Sequence, residues 1–70
     1  MVEKTIELTG QSSTSIEAAV GLAISRAAVT ITDIRQARLT EIVAVVEDGQ
    51  IARWKVDLRV TFQVADRVHE

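Results

Sequence analysis

Few residues of this 70-residue chain are equipped for chemistry. The only histidine, His69, stands next to the C-terminal residue, and there is no cysteine to act as nucleophile or thiolate ligand. Ser12, Ser13 and Ser15 cluster ahead of a helical pattern, where capping accounts for them. No glycine-rich phosphate loop is present. An enzyme therefore has no residues to carry it. What remains is charge and hydrogen bonding on strands, chiefly Gln36, Arg38, Lys55 and Asp57. Gln36, Arg38 and Lys55 read as a polar, cationic site for an anionic or phosphate-bearing ligand, because such groups pair well with carboxylate and phosphate. The plainer reading is salt bridges between subunits, with Asp57 and the glutamates as partners. Glu7, Glu47, Asp48 and Asp57 are the carboxylates open to a cation. Calcium takes about six to eight oxygen ligands, and no Asp-x-Asp-x-Asp-Gly loop exists here. A calcium site must then be assembled from several subunits on a symmetry axis; otherwise these acids are solvated surface.

Composition narrows the partners. A formal charge of -2 and a pI near 5.3 leave no basic face for nucleic acid, and Trp54 and Phe62 are too few for a base-stacking platform. No apolar run approaches the ~18 residues of a membrane span. The opening Val2-Glu3-Lys4-Thr5 lacks the basic-then-apolar order of a signal peptide, so a cytoplasmic location is expected, with neither membrane nor nucleic acid as partner.

The elements that must position these residues follow from periodicity. One domain over residues 1–70 is expected, with strands at about 2–9, 34–46 and 51–64 and a helix at about 14–29. Ile6 and Leu8 share one face of the first strand, which Gly10 ends. Thr14-Ser15-Ile16-Glu17 has the form of a capping box. Ile16, Ala19, Val20, Ala23, Ile24 and Ala27 then make an amphipathic stripe. Gly21 costs ~1 kcal/mol relative to Ala in a helix, which points to close backbone contact there. Asp48-Gly49 between two β runs is a hairpin signal. In the last strand Ala52, Trp54, Val56, Leu58, Val60, Phe62 and Val64 fall on one face, and Arg53, Lys55, Asp57, Arg59, Thr61 and Gln63 on the other. Straight pairing about the turn sets Val43 against Trp54, Leu39 against Leu58 and Ala37 against Val60 on the helix-covered face. It also forces Glu41 onto that face opposite Val56, with Ile42 and Ala44 on the reverse. A β-α-β crossover into a hairpin gives sheet order 1-3-2, with a right-handed crossover. Residues 65–70 are expected to fray.

Such a fold is marginal alone. Ordering the chain costs about 105 kcal/mol at ~1.5 kcal/mol per residue, which takes about 4,200 Å² of apolar burial to offset at ~25 cal/mol per Å². A compact globule of this mass buries about 6,800 Å² in all, ~60% of it apolar, so the balance breaks even with no disulfide to help. The last strand, at ~3.3 Å per residue, reaches about 46 Å, whereas the helix covers about 24 Å. The hairpin overhangs its helix and presents apolar sheet that neighbouring subunits must cover.

Taken in order, Leu8-Thr9-Gly10, the Ser12 to Ser15 break, an Ala-rich helix with Ser25-Arg26-Ala27, and a hairpin closing on Trp54-Lys55-Val56-Asp57-Leu58-Arg59-Val60-Thr61-Phe62 resemble the dodecins. The similarity runs from Val2 to about Val64. It implies an α+β subunit of β-α-β-β order, a three-stranded antiparallel sheet wrapped on one helix, and a hollow homododecamer. Typical dodecins stack flavins on a Trp early in the second strand and hydrogen-bond them through a Gln in the third. Gln36 occupies the Trp position and Lys55 the Gln position, so both flavin (FMN or riboflavin) hallmarks are absent, and Trp54 falls on the opposite face. Asp33-Ile34-Arg35-Gln36-Ala37-Arg38 is similar to a divergent branch that lacks the Trp and includes a calcium-associated form. The resemblance thus implies a non-enzymatic shell that stores or sequesters a small ligand or ion between subunits. A flavin-storage protein and a structural shell without a small ligand are the alternatives.

Overall fold

A computed structural model describes residues 2–64; His69 and the rest of the C-terminal segment lie outside the described residues. The elements are β1 (Val2–Ser12), α1 (Ile16–Ala28), β2 (Ile34–Glu47) and β3 (Gln50–Val64). They form one sheet in the order β1-β3-β2, with both neighbours antiparallel to the central β3. The fold is the three-stranded antiparallel sheet on one helix that the sequence implied.

The helix begins where its first free N–H finds an acceptor. Ser15, in extended conformation, accepts from the Ala18 N–H at 2.9 Å through Oγ. The cap is thus Ser15, one residue later than the capping box required, and Ala18 rather than Glu17 stands three residues on. Ser12 Oγ accepts from the Thr14 N–H at 3.0 Å and tightens the turn before it. Ala19, Ala23 and Ala27 are buried along one side of α1, the first two in one cluster with Val56, Leu58 and Val60 of β3. Small side chains let helix and sheet approach closely, and Ile6, Leu8, Ile16, Val20, Ile34 and Ala37 close the margin of this core.

Gly10 does not end β1. The strand continues to Ser12, with Gly10 opposite Val56 and Ser12 opposite Trp54. A Cβ at Gly10 would collide with the Ala19 carbonyl oxygen and stand 3.1 Å from the Ala23 Cβ. The close backbone approach foreseen at Gly21 is therefore found at Gly10, where the strand passes under the helix. Gly21 has open space around it.

The hairpin departs most from the expected register. Asp48 (φ 53) and Gly49 (φ 76) make the two-residue turn, both in the left-handed region. Ala37 faces Val60 and Leu39 faces Leu58 as the straight pairing requires, but the register slips at Thr40 and returns next to the turn. Between these points Ile42 faces Val56, Ala44 faces Trp54 and Val43 faces Lys55. Glu41 is consequently not on the helix side; it stands opposite Asp57 on the outer face. Ile42 and Ala44 take the helix side, and Val43 exchanges Trp54 for Lys55. The physical reason is the carboxylate. Straight pairing would set an unpaired charge against the half-covered apolar face, partly stripping its water, whereas one bulged residue turns it out to solvent. Thr40 also restores a lost hydrogen bond, its hydroxyl donating to the Asp57 carbonyl at 3.2 Å.

The subunit measures 58 × 19 × 12 Å, with a radius of gyration of 14.9 Å; a compact chain of this length has about 11 Å. The helix packs mainly over β1 and β3, and β2 extends beyond it. Leu39 (41%) and Ile42 (49%) on β2 stay exposed, as does Leu22 (46%) on the helix. Among the described residues no helix is long and apolar enough to cross a membrane.

Candidate functional site

The alternation of β3 places Thr61, Arg59, Asp57 and Lys55 on the outer face of the sheet, with Thr5, Glu7, Thr9 and Gln11 of β1 opposite them. On β2, Gln36 lies opposite Thr61 and Arg38 opposite Arg59; after the bulge Glu41 lies opposite Asp57. The face is built of rungs about 7 Å apart, two residues of rise each. From one end these carry hydroxyls and an amide, then two guanidiniums, then two carboxylates, then Lys55.

This geometry divides the sequence-derived residues. Gln36 and Arg38 come together with Thr5, Arg59 and Thr61 around a shallow depression of about 280 Å³. Thr5 and Thr61 share a hydrogen bond of 3.2 Å between their hydroxyls. Glu7 and Arg59 approach to 3.8 Å, an exposed pair whose contribution is small. Asp57 belongs to a neighbouring depression with Glu7, Thr9 and Thr40, where its Oδ1 accepts from the Thr9 hydroxyl at 2.9 Å. Lys55 lines neither. It stands two rungs from Arg59 and faces Val43 and Gln11. Arg59, Thr5 and Thr61 were not singled out from the sequence, although the alternation of β3 and the pairing with β1 contain the signal for them.

The carboxylates are likewise dispersed. Glu47 pairs with Arg53 at 3.5 Å beside the hairpin turn, where Arg53 also donates to the Gln11 side-chain oxygen at 3.1 Å. Asp48 is in the turn itself. Among the described residues no three acids or histidines converge to hold a metal. Among the described residues Glu41 and Asp57 are directly opposed across the bulge and Glu7 shares a depression with Asp57, short of the six to eight oxygens calcium takes.

Nor does the outer face fit a flavin by stacking. The depression is lined by Gln36 where a ring would need an aromatic plane, and Trp54 lies on the helix side opposite Ala44 and Ser12.

The family model for dodecins matches residues 2–65. Among solved structures, a variant of the Thermus thermophilus dodecin is 29% identical, with a TM-score of 0.87 over 93% of this chain and 97% of that one. The Streptomyces davaonensis dodecin is 26% identical, with a TM-score of 0.86 over 93% and 96%. Calcium dodecin of Mycobacterium tuberculosis, described as a calcium-chelating immunodominant antigen with a novel calcium-binding site, is 31% identical, with a TM-score of 0.81 over 100% of both chains. Comparison with curated proteins finds no significant match.

Proposed function

This chain belongs to the dodecin family, and from that membership we propose that it is a non-enzymatic, self-assembling shell of twelve subunits that sequesters a small ligand between them. The observation that carries the reading is the outer sheet face. Gln36, Arg38, Arg59, Thr5 and Thr61 surround a depression open to solvent, on the face where β2 also leaves Val43 exposed for a neighbour to cover. A ligand seated there is buried by association of subunits and released by their separation. Nothing in such a cycle requires bond making or breaking. Asp57, on the adjoining rung, would bound the ligand from one side, with Lys55 one rung beyond it.

Native mass spectrometry before and after denaturation tests this reading. A particle of twelve 7.7 kDa subunits carrying extra small-molecule mass is the expected result. A shell that never carries such mass, whatever is added, supports a purely structural protein instead. Bound flavin would colour the preparation yellow and restore the flavin-storage alternative.

Calcium is a second reading, favoured by the opposed carboxylates of Glu41 and Asp57 and by the likeness to calcium dodecin. Since one subunit supplies too few oxygens, the ion would have to lie where symmetry-related copies of these acids meet. Calcium raising the unfolding midpoint of the assembled protein, with Glu41→Gln removing the effect, is the outcome this reading expects; equal stability with calcium and with a chelator would exclude it.

A further inference from the structure

We propose that the depression on the outer sheet face is an oxyanion site, for phosphate or carboxylate groups, held by the guanidiniums of Arg38 and Arg59 with Thr5, Thr61 and Gln36 around them. It rests on the small-ligand reading and names the chemical class of the ligand.

Arg38 and Arg59 are directly opposed across antiparallel strands. Like charges in that position destabilise a sheet. Glu7 offsets part of this at 3.8 Å from Arg59. Arg38 makes no hydrogen bond or ion pair among the described residues. The rung Glu7–Arg59–Arg38 therefore keeps one uncompensated positive charge, carried by a fork of donors suited to two oxygens of one anion. The next rung supplies the remaining contacts. Thr5 and Thr61 share a single hydrogen bond between two hydroxyls, so one hydroxyl proton is left over to donate, and the Gln36 amide adds a donor beside it.

The ligand's charge follows from the same groups, because two adjacent guanidiniums repel a cation. Glu41 and Asp57, one rung away, form no ion pair with Arg38; Asp57 takes its hydrogen bond from Thr9 instead. A depression of about 280 Å³ has room for a phosphate, a diphosphate or a small polycarboxylate.

The test uses the assembled protein with inorganic phosphate, pyrophosphate or citrate, read by thermal unfolding and calorimetric titration against sodium chloride of equal ionic strength. At least one of these anions is expected to raise the midpoint. The preference among them sorts free phosphate, a diphosphate-bearing molecule and a carboxylate. Arg38→Met should lower the affinity about tenfold or more, the worth of a hydrogen bond to a charged group. Without anion the same variant should unfold at an equal or higher temperature, since a like-charge contact has been removed. Lys4→Met, on the helix side of the sheet opposite Phe62, should keep the full response. No response of the unaltered protein beyond matched chloride overturns the site, as does an unchanged response in Arg38→Met. An anion-free Arg38→Met protein that melts early and sheds subunits also overturns it, by showing the guanidinium to be spent on a neighbouring subunit. An uncharged small molecule retained in the native mass spectrum, with no response to oxyanions, overturns the oxyanion class while leaving the sequestration reading in place.

Discussion

Two glycines on facing elements show how much a single Cβ decides. At Gly10 an added methyl meets the backbone of α1; at Gly21 it meets nothing. Gly10→Ala should therefore lower stability by about 1–3 kcal/mol through overpacking. Gly21→Ala should raise it by about 1 kcal/mol through helix propensity. Chemical denaturation of the two variants checks both signs at once. Ser15→Ala removes the acceptor of the Ala18 N–H and should cost about 1 kcal/mol. Glu17→Ala should cost less, because the cap does not use Glu17; that comparison separates a simple Ser cap from a capping box.

At the scale of the element, the bulge at Thr40 determines which side chains a neighbouring subunit sees. It moves Ile42 and Ala44 to the helix side and Glu41 and Val43 to the outer face. Deleting Thr40 should remove the bulge and keep Glu41 opposite Asp57 and Ile42 opposite Val56, losing only the hydrogen bond of the Thr40 hydroxyl to the Asp57 carbonyl, at a cost of about 1 kcal/mol. Circular dichroism on heating should show a cooperative transition retained with a small fall in midpoint; loss of the transition would show that the sheet needs the bulge itself. Glu41→Gln acts the other way. It removes one of two opposed like charges and should stabilise the calcium-free protein, by less than about 1 kcal/mol because both carboxylates are exposed, measured as a shift in the denaturant midpoint at constant slope.

For the whole molecule the decisive quantity is uncovered apolar surface. A 58 Å subunit with a short helix has only Ala19, Ala23, Ala27, Val56, Leu58 and Val60 as buried hydrophobic side chains among its described residues. Its stability should therefore depend on protein concentration, the midpoint falling on dilution as mass action requires. Leu39→Asp, at a position 41% exposed in the subunit, should leave an isolated strand little disturbed but should shift size-exclusion elution to smaller species. Full-size assembly in that variant would show that contact between subunits lies elsewhere.

Strand identity, helix position and sheet order were legible because alternation, the i, i+3, i+4 stripe and the Asp48-Gly49 turn are local patterns. The family resemblance was legible because those patterns occur in order at a fixed length. The half of the site on β3 was there too, since Arg59 and Thr61 alternate with the buried Leu58 and Val60. The pairing of Arg38 with Arg59 followed from counting back from the turn. The same count failed for Glu41 to Val45, because a bulge leaves the local sequence looking like an unbroken strand. The spacing of Leu39 and Ile42, three residues instead of two, was the one trace of it. The role of Gly10 was hidden for a similar reason: a glycine that ends a strand and one that admits a helix look alike until the helix is in place. By itself the sequence determined which residues line each element and that one subunit has too little core. Only the tertiary structure decided which of them share a rung between the bulge and the turn and where the helix meets the sheet, because register and close approach depend on contacts between segments far apart in the chain.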